Sequence, residues 1–505
     1  MKKVFILFMI LVLGTGIIAA QETEITLEPL NDTHFGLTTV VPSGWTSLGN
    51  GLLQRGATPE DVTLLGIQSA PFKIDALMDA VLPQLGLSEV PESVGTLETE
   101  TLTWTLYKVD VSAGAQTVMV DLAVTEADNK SYLVLLQTSP EDYDALHEAV
   151  FLPVVEALEI VKPNVADLPY VVEELTFTNE DVTLAGTLTL PEGKGPFPAV
   201  VLVSGSGPQD RDETIGAMKP LGLVADELTR AGMAVLRYDD RGVGGSGGDI
   251  FATIEETTAD AAAALDFLSK RPEINADELG ILGHSEGGIV AAGLGATDPN
   301  IDFIIVMAGP GVTGKEVLQE QGRQILKAEG GSDEMIEAQT SAQPAIWEAI
   351  ENDDREKFIE LATQATLEVA QLLPEADRES LGDLETYAKT SAEQQAAGYF
   401  NPWFRSFLAT DPAADWAQTT VPVLAVFGGK DVQVPAEQNA PAIEAALAEA
   451  GNEDVTIVTL PDANHLFQQA EIGSLSEYAQ LDPVFTEDFV PTLVEWLQAH
   501  VTLPE

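Results

Sequence analysis

Apolar and polar positions alternate in two rhythms along this chain. Up to about residue 160 they form short alternating runs, Leu37 to Val41, Thr101 to Val111, Thr117 to Val124 and Ser131 to Gln137, which predict strands. Glu141 to Ile160 carries apolar residues at Leu146, Val150, Val154, Val155 and Leu158, which predicts a helix. Beyond residue 170 the rhythm changes. A hairpin, Glu173 to Thr178 and Val182 to Leu190, precedes a continuous apolar run, Ala199 to Val203. Helix Leu221 to Arg230, strand Ala234 to Tyr238, helix Thr257 to Ser269, the run Leu279 to Leu282 and strand Phe303 to Ala308 follow. Strands Val423 to Phe427 and Val455 to Leu460 come late. Continuous apolar strands separated by helices read as a mostly parallel sheet covered on both faces. Between the early and late strands, about 311–414 reads as amphipathic helices, for example Val317 to Lys327, Ala345 to Ile350 and Phe358 to Leu372. Such an insertion in a doubly wound sheet is expected to cap the strand ends.

The predicted organisation is therefore a leader over 1–20, a small α+β domain over 21–165 and a doubly wound α/β domain over 166–505 with a helical cap. The boundary lies in the Pro- and Asn-containing stretch Val161 to Pro169. No internal repeat or long low-complexity segment interrupts it. In the leader, Met1, Lys2 and Lys3 precede an apolar run, Val4 to Ile18, and then Ala19 and Ala20. These are the regions of a secretory signal, and the run is shorter than the ~20 residues a membrane span needs. Cleavage after Ala20 would leave an extracytoplasmic protein without stable membrane insertion; retention as an N-terminal anchor is the alternative.

Composition narrows the function classes. The 505 residues exceed one typical core, and a 45% hydrophobic content supports folding. With 81 acidic against 24 basic residues, the net charge is −57. That field argues against nucleic acid and anionic membranes as partners, and disfavours highly anionic substrates. A solvated acidic surface accounts for the excess by itself. There is no cysteine, hence no disulfide, thiol lipidation or thiolate chemistry.

The chemistry concentrates where strands end. Leu279 to Leu282 runs into Gly283, His284, Ser285, Glu286 and Gly287, a G-x-S-x-G pattern. At a strand-to-helix turn, small neighbours let Ser285 stand clear as a nucleophile, and the helix N-terminus favours a developing oxyanion. A helix-capping serine in a glycine turn is the bland alternative. The loop after Val423 to Phe427 offers Asp431, and the loop after Val455 to Leu460 offers His465. The order Ser, Asp, His is that of an α/β-hydrolase triad. Asp462 is the alternative acid, but it lies in the same loop as the base. His284 is expected to point away from Ser285, and His500 to close a helix C-terminus. His34 and His147 have no evident partner. After Ala199 to Val203, the sequence Ser204, Gly205, Ser206, Gly207, Pro208 can aim N–H groups at a substrate oxygen. The expected oxyanion donors are the backbone N–H groups of Ser206 and Glu286.

Five stretches in this order carry a resemblance: GSGPQDRDETI (Gly205 to Ile215), YDDRGVGGS (Tyr238 to Ser246), GHSEGG (Gly283 to Gly288), GKDVQVP (Gly429 to Pro435) and NHLF (Asn464 to Phe467). From about Glu173 to Val501 the chain resembles the α/β-hydrolase superfamily, specifically EstD-type esterases related to the serine aminopeptidase and dienelactone hydrolase groups. Ser204 departs from the histidine common in relatives at that position, and Arg241 suits loop bracing by ion pairing. The resemblance implies a serine carboxylesterase acting on a small-molecule ester with short to medium acyl chains, and a mechanism that requires no metal or organic cofactor; the leader would make it a secreted one. A serine peptidase of aminopeptidase type on the same fold is the nearest alternative. An extracytoplasmic binding protein with an inert hydrolase fold is an alternative of another class. The N-terminal domain lies outside the resemblance. Its turn Val41, Pro42, Ser43, Gly44, Trp45 is weakly similar to the P-x-x-W turn of PsbP-type domains, with Trp45 expected in the core. Nothing in the sequence sets an oligomeric state.

Overall fold

The computed structural model describes residues 25–503 apart from 33–34, 50, 56–60, 86, 88, 114–115 and 162–166. The expected leader, His34 and most of the expected linker lie outside the described residues. The chain divides into two compact units, one built on Pro169–Thr214 with Met218–Glu505, the other mainly on the residues before Pro169.

In the N-terminal unit, seven antiparallel strands run in the spatial order Thr46–Gly49, Leu52–Gln54, Leu64–Ala70, Lys130–Thr138, Gln116–Ala127, Thr103–Ala113, Gly95–Glu98. Leu27–Asp32, Leu37–Pro42 and Glu159–Ile160 form a second, small sheet. Val150, Phe151, Val154 and Val155 pack with Trp104, Val134 and Leu136 in one core, and Trp45 lies half-buried against it. The helical segment covers Tyr143–Leu146, one π-helical stretch His147–Phe151, and Leu152–Glu156. It stops short of the expected Ile160, because Glu159 and Ile160 pair antiparallel with Thr38 and Leu37. The β-branched Ile160 and Val161 ahead of Pro163 disfavour further helix. His147 also differs from expectation. Its Nδ1 lies 2.7 Å from Asp121 Oδ2, and the same carboxylate accepts the Tyr143 hydroxyl at 2.7 Å.

The second unit is organised by eight strands: β1 (Tyr170–Asn179), β2 (Val182–Pro191), β3 (Phe197–Val203), β4 (Ala234–Tyr238), β5 (Ile274–His284), β6 (Phe303–Met307), β7 (Val423–Gly428) and β8 (Val455–Leu460). Their order is β1-β2-β4-β3-β5-β6-β7-β8. Only the pairs involving β2 are antiparallel; β4 through β8 run parallel. The two-residue strand period divides the core. Ala199, Val201 and Val203 face one cluster with helices α2 (Ile254–Ser269) and α3 (Glu286–Thr297). Val200 and Leu202 face the other, with α1 (Pro220–Arg230) and the C-terminal helix Phe489–His500. Because both faces are covered, β3, β5, β6 and β7 need continuous apolar runs in place of an alternating one. α3 is buried almost all round, which its small apolar residues permit.

Between β6 and β7 the chain forms eight helices, from Gly314–Ala328 to Pro412–Trp416. Side chains of Thr313, Ser332, Asp354, Asp383 and Asn401 cap helix starts by accepting backbone N–H groups. Ile346, Trp347, Ile350, Phe358, Phe404 and Leu408 form the insertion's own core. Leu384–Tyr399 buries a stripe of alanines, Ala388, Ala392 and Ala396, too weak in hydrophobicity to stand out in sequence.

Candidate active site

Strand β5 delivers Ser285 to a sharp turn into α3. Ser285 has φ of 53°, a conformation that costs a non-glycine residue about 1–3 kcal/mol and that persists only where neighbours enforce it. Its N–H donates to Met307 O at 2.8 Å, and its carbonyl accepts Gly288 N–H at 2.9 Å. The turn is too tight for larger neighbours: a Cβ on Gly283 would collide with the backbone of Gly287 and Gly288. Ser285 is 6% exposed. The bland reading of a helix-capping serine does not hold, since its side chain makes no capping hydrogen bond.

The β7 and β8 loops bring Asp431 and His465 together. His465 Nδ1 lies 2.8 Å from Asp431 Oδ2, and both side chains are buried. Oδ1 of Asp431 accepts N–H groups from Gln433 at 2.7 Å and Val434 at 3.0 Å. Burial alone would raise the Asp431 carboxyl. The charge of His465 and the hydrogen bonds from His465, Val434 and Gln433 outweigh it and hold the group below the usual carboxylate range. Gln433 in turn donates to Tyr478 OH at 2.8 Å. Asp462, the alternative acid, is exposed and only its carbonyl is used, by Ala470 N–H at 2.9 Å. His500 ends its helix and reaches Trp496 O at 2.7 Å and Asp454 at 3.2 Å.

The loop after β3 meets the elbow closely. A Cβ added to Gly205 would stand 3.2 Å from Ser285 Cβ and 2.7 Å from Glu213 Oε1. Ser206 follows directly, and Glu286 opens α3, so its N–H lies at the helix N-terminus. Gly205 N–H is already taken by Glu213 Oε1 at 2.8 Å, which leaves the next N–H, that of Ser206, as the loop's candidate donor.

Several groups here escaped the sequence reading. Ser204, the departure from relatives, donates its hydroxyl to Asp240 at 3.0 Å, and Gln209 N–H reaches the same carboxyl at 2.9 Å. Burial raises the Asp240 carboxyl well above its ordinary value and outweighs these hydrogen bonds, and the charges of Glu286 and Glu213 add a smaller push in the same direction. Trp403, from the helical insertion, donates its indole N–H to the Glu286 carboxylate at 2.9 Å. Arg241, by contrast, was expected to brace loops by ion pairing; it pairs with Asp260 at 2.7 and 2.9 Å and with Glu256 at 3.1 Å, and so braces the loop after β4 against α2. Gly205, Pro208, Asp240, Arg241, Glu286 and Trp403 help line a small cleft of about 30 Å³. Asp240 and Glu213 stood inside quoted motifs but had no sequence signal for a role; Trp403 had none at all. Among the described residues no cluster of histidine and acidic side chains could hold a metal ion.

This sheet order, with a serine elbow after β5 and an acid and a histidine after β7 and β8, defines an α/β-hydrolase. Within that class, the chain belongs to the family described as X-Pro dipeptidyl-peptidase (S15 family), whose profile matches residues 180–465. It is 29% identical over 310 residues to Esterase EstD of Thermotoga maritima, covering 60% of this chain and 64% of that protein. An uncharacterized protein of Pseudomonas aeruginosa is 32% identical over 139 residues, 26% of this chain and 35% of the relative. The chain thus spans less than two thirds of the curated relatives it matches. Among solved structures, the Pyrococcus furiosus esterase Pf2001 has 17% identity and a TM-score of 0.41, covering 68% of this chain and 97% of its own. A dienelactone hydrolase of Anabaena variabilis has 17% identity and a TM-score of 0.34, covering 66% and 100%.

Proposed function

We propose that this protein is a serine carboxylesterase that hydrolyses short- to medium-chain acyl esters through an acyl-enzyme. The observation that carries the reading is the buried Asp431–His465 hydrogen bond in the same site as a strained serine elbow. Ser285 Oγ attacks the ester carbonyl while His465 Nε2 takes its proton. Asp431 fixes the imidazole tautomer and stabilises the imidazolium. The N–H groups of Ser206 and Glu286 hold the oxyanion. Collapse breaks the bond to the alkoxy group, which leaves with the proton from His465. Water then attacks the acyl-enzyme by the same route and frees the acid and Ser285. Esterase activity is the named property of the Thermotoga relative.

The decisive experiment compares wild type with Ser285→Ala on p-nitrophenyl butyrate. Loss of about 10⁴-fold or more is expected; wild-type rates in the variant would refute the assignment.

A second reading, a serine peptidase, is favoured by the family's description as a dipeptidyl-peptidase. The acidic cleft, with Glu286 facing Trp403, could hold a substrate amine. Aminoacyl p-nitroanilides cleaved as efficiently as the butyrate ester would make peptidase the better description. Secretion rests on the Lys-rich start and the apolar run to Ile18; N-terminal sequencing of exported protein, expected to begin at Gln21, tests it.

A further inference from the structure

His284 and Glu213 are buried titratable groups beside the candidate nucleophile that the proton transfers above do not use. Both side chains are fully buried. His284 Nδ1 lies 2.7 and 2.8 Å from the two Glu213 carboxyl oxygens. Its Nε2 lies 3.0 Å from the backbone carbonyl of His465, and the two imidazole rings stand 4.8 Å apart.

A carbonyl oxygen can only accept, so Nε2 of His284 carries a proton. Nδ1 faces a carboxyl group, so a second proton lies between that nitrogen and Glu213. Both ring nitrogens are thereby committed to fixed hydrogen bonds, and neither is left to exchange a proton with Ser285. Glu213 Oε1 also accepts the N–H of Gly205 at 2.8 Å. The pair therefore touches three stretches of backbone at once: Gly205, which precedes Ser206; His284, which precedes Ser285; and His465 itself.

This arrangement is held against local preference. Glu213 has φ of 53°, a conformation sparsely populated by residues with a side chain. Its N–H is tied to Asp210 O at 2.8 Å. The Asp210 carboxylate also accepts the N–H and hydroxyl of Thr214 at 2.9 and 2.8 Å. The turn so made aims the Glu213 carboxyl inward, where burial is tolerable only because its hydrogen bonds are satisfied.

We propose that Glu213 and His284 form a positioning pair that locks the oxyanion loop and the base loop to the nucleophile elbow, keeping Ser206 N–H, Ser285 Oγ and the His465 ring in register during the reaction. The inference rests on the esterase reading of Ser285. The pair's hydrogen bonds run to Gly205 N–H and to the His465 carbonyl, so each acts through the backbone it holds.

The test is Glu213→Ala, with kcat measured per site titrated by a fluorophosphonate. We expect kcat on p-nitrophenyl butyrate to fall about 10²-fold, the scale of a lost oxyanion donor, while KM stays within about threefold, because the loss lies in the transition state. Affinity for a trifluoromethyl ketone, whose hemiketal on Ser285 bears the same oxyanion, should fall by the same factor as kcat/KM. Glu213→Gln should recover most of the lost kcat: its amide oxygen accepts Gly205 N–H while its NH₂ donates to His284 Nδ1. Should the alanine variant fail to fold, Glu213→Asp withdraws the carboxylate by one methylene, and a fall of about tenfold or more is expected from the displaced loop. A merely structural role would lower Tm and the titrated fraction but leave kcat per site intact. That result, or a glutamine variant as slow as alanine, overturns the proposal. If the wild type neither hydrolyses the ester nor labels at Ser285, the esterase reading fails. If it does both and the Glu213 variants match it, the positioning inference alone fails.

Discussion

The protein contains two buried aspartates that hold a histidine at almost the same distance. In the N-terminal unit Asp121 and His147 lie 2.7 Å apart; in the hydrolase unit Asp431 and His465 lie 2.8 Å apart. The bond itself does not distinguish them. His147 is 29% exposed and leans on Tyr143 and Phe151, while Asp121 also serves the Tyr143 hydroxyl. That set closes on itself and ties a π-helical stretch to the sheet. His465 is sealed, its partner's second oxygen is occupied by two backbone N–H groups, and a strained serine elbow belongs to the same site. An Asp–His pair becomes a candidate for catalysis through what surrounds it, namely a nucleophile, a glycine-bearing loop and a helix N-terminus.

The sharpest way to break this comparison is to treat the two aspartates identically. Asp431→Asn is expected to lower kcat by about 10³–10⁴-fold, because the amide favours the wrong imidazole tautomer; ester kinetics at neutral pH check it. A second contrast concerns pH. Asp431 has a folded-state carboxyl below its ordinary value, so it contributes stability that is present above the unfolded value of about 3.9 and is lost as pH falls through the lower folded value. The stability gap between wild type and Asp431→Asn, read from urea unfolding, should be full near neutral pH and shrink below about pH 4. A gap that grows on acidification would contradict this sign. The smallest effect is expected at the other pair. Asp121→Asn should leave ester kinetics unchanged and cost about 1–3 kcal/mol of N-terminal unit stability, the scale for disturbing a buried hydrogen-bonded group, measurable by calorimetry. A large loss of turnover there would erase the distinction.

Much of the hydrolase unit was legible because its strands are covered on both faces. Ala199 to Val203, Phe303 to Met307 and Val423 to Phe427 must be apolar throughout, so the signal is dense and local. The helix expected up to Ile160 misled, because pairing with Leu37 and Thr38, far away in sequence, decided the fate of Glu159 and Ile160. The helix Leu384–Tyr399 went unread because alanines supply its buried stripe. In the candidate site, Ser285, Asp431 and His465 could be found from strand ends and chain order. Glu213 and Asp240 stood in plain view within the motifs, yet nothing in a motif says which acid turns inward.

The sequence by itself determined the alternation of strands and helices, the glycine-flanked serine, and the order of the candidate nucleophile, acid and base, since each is written in neighbouring residues and in the constraints of a parallel sheet. Only the tertiary structure decided that Asp431 and not Asp462 meets His465, that Glu213 reaches across to His284, and that Trp403 meets Glu286 from 117 residues away. Those contacts depend on how loops return over the sheet, and on which buried charges find partners. Both are settled by the three-dimensional packing of segments whose local preferences leave them open.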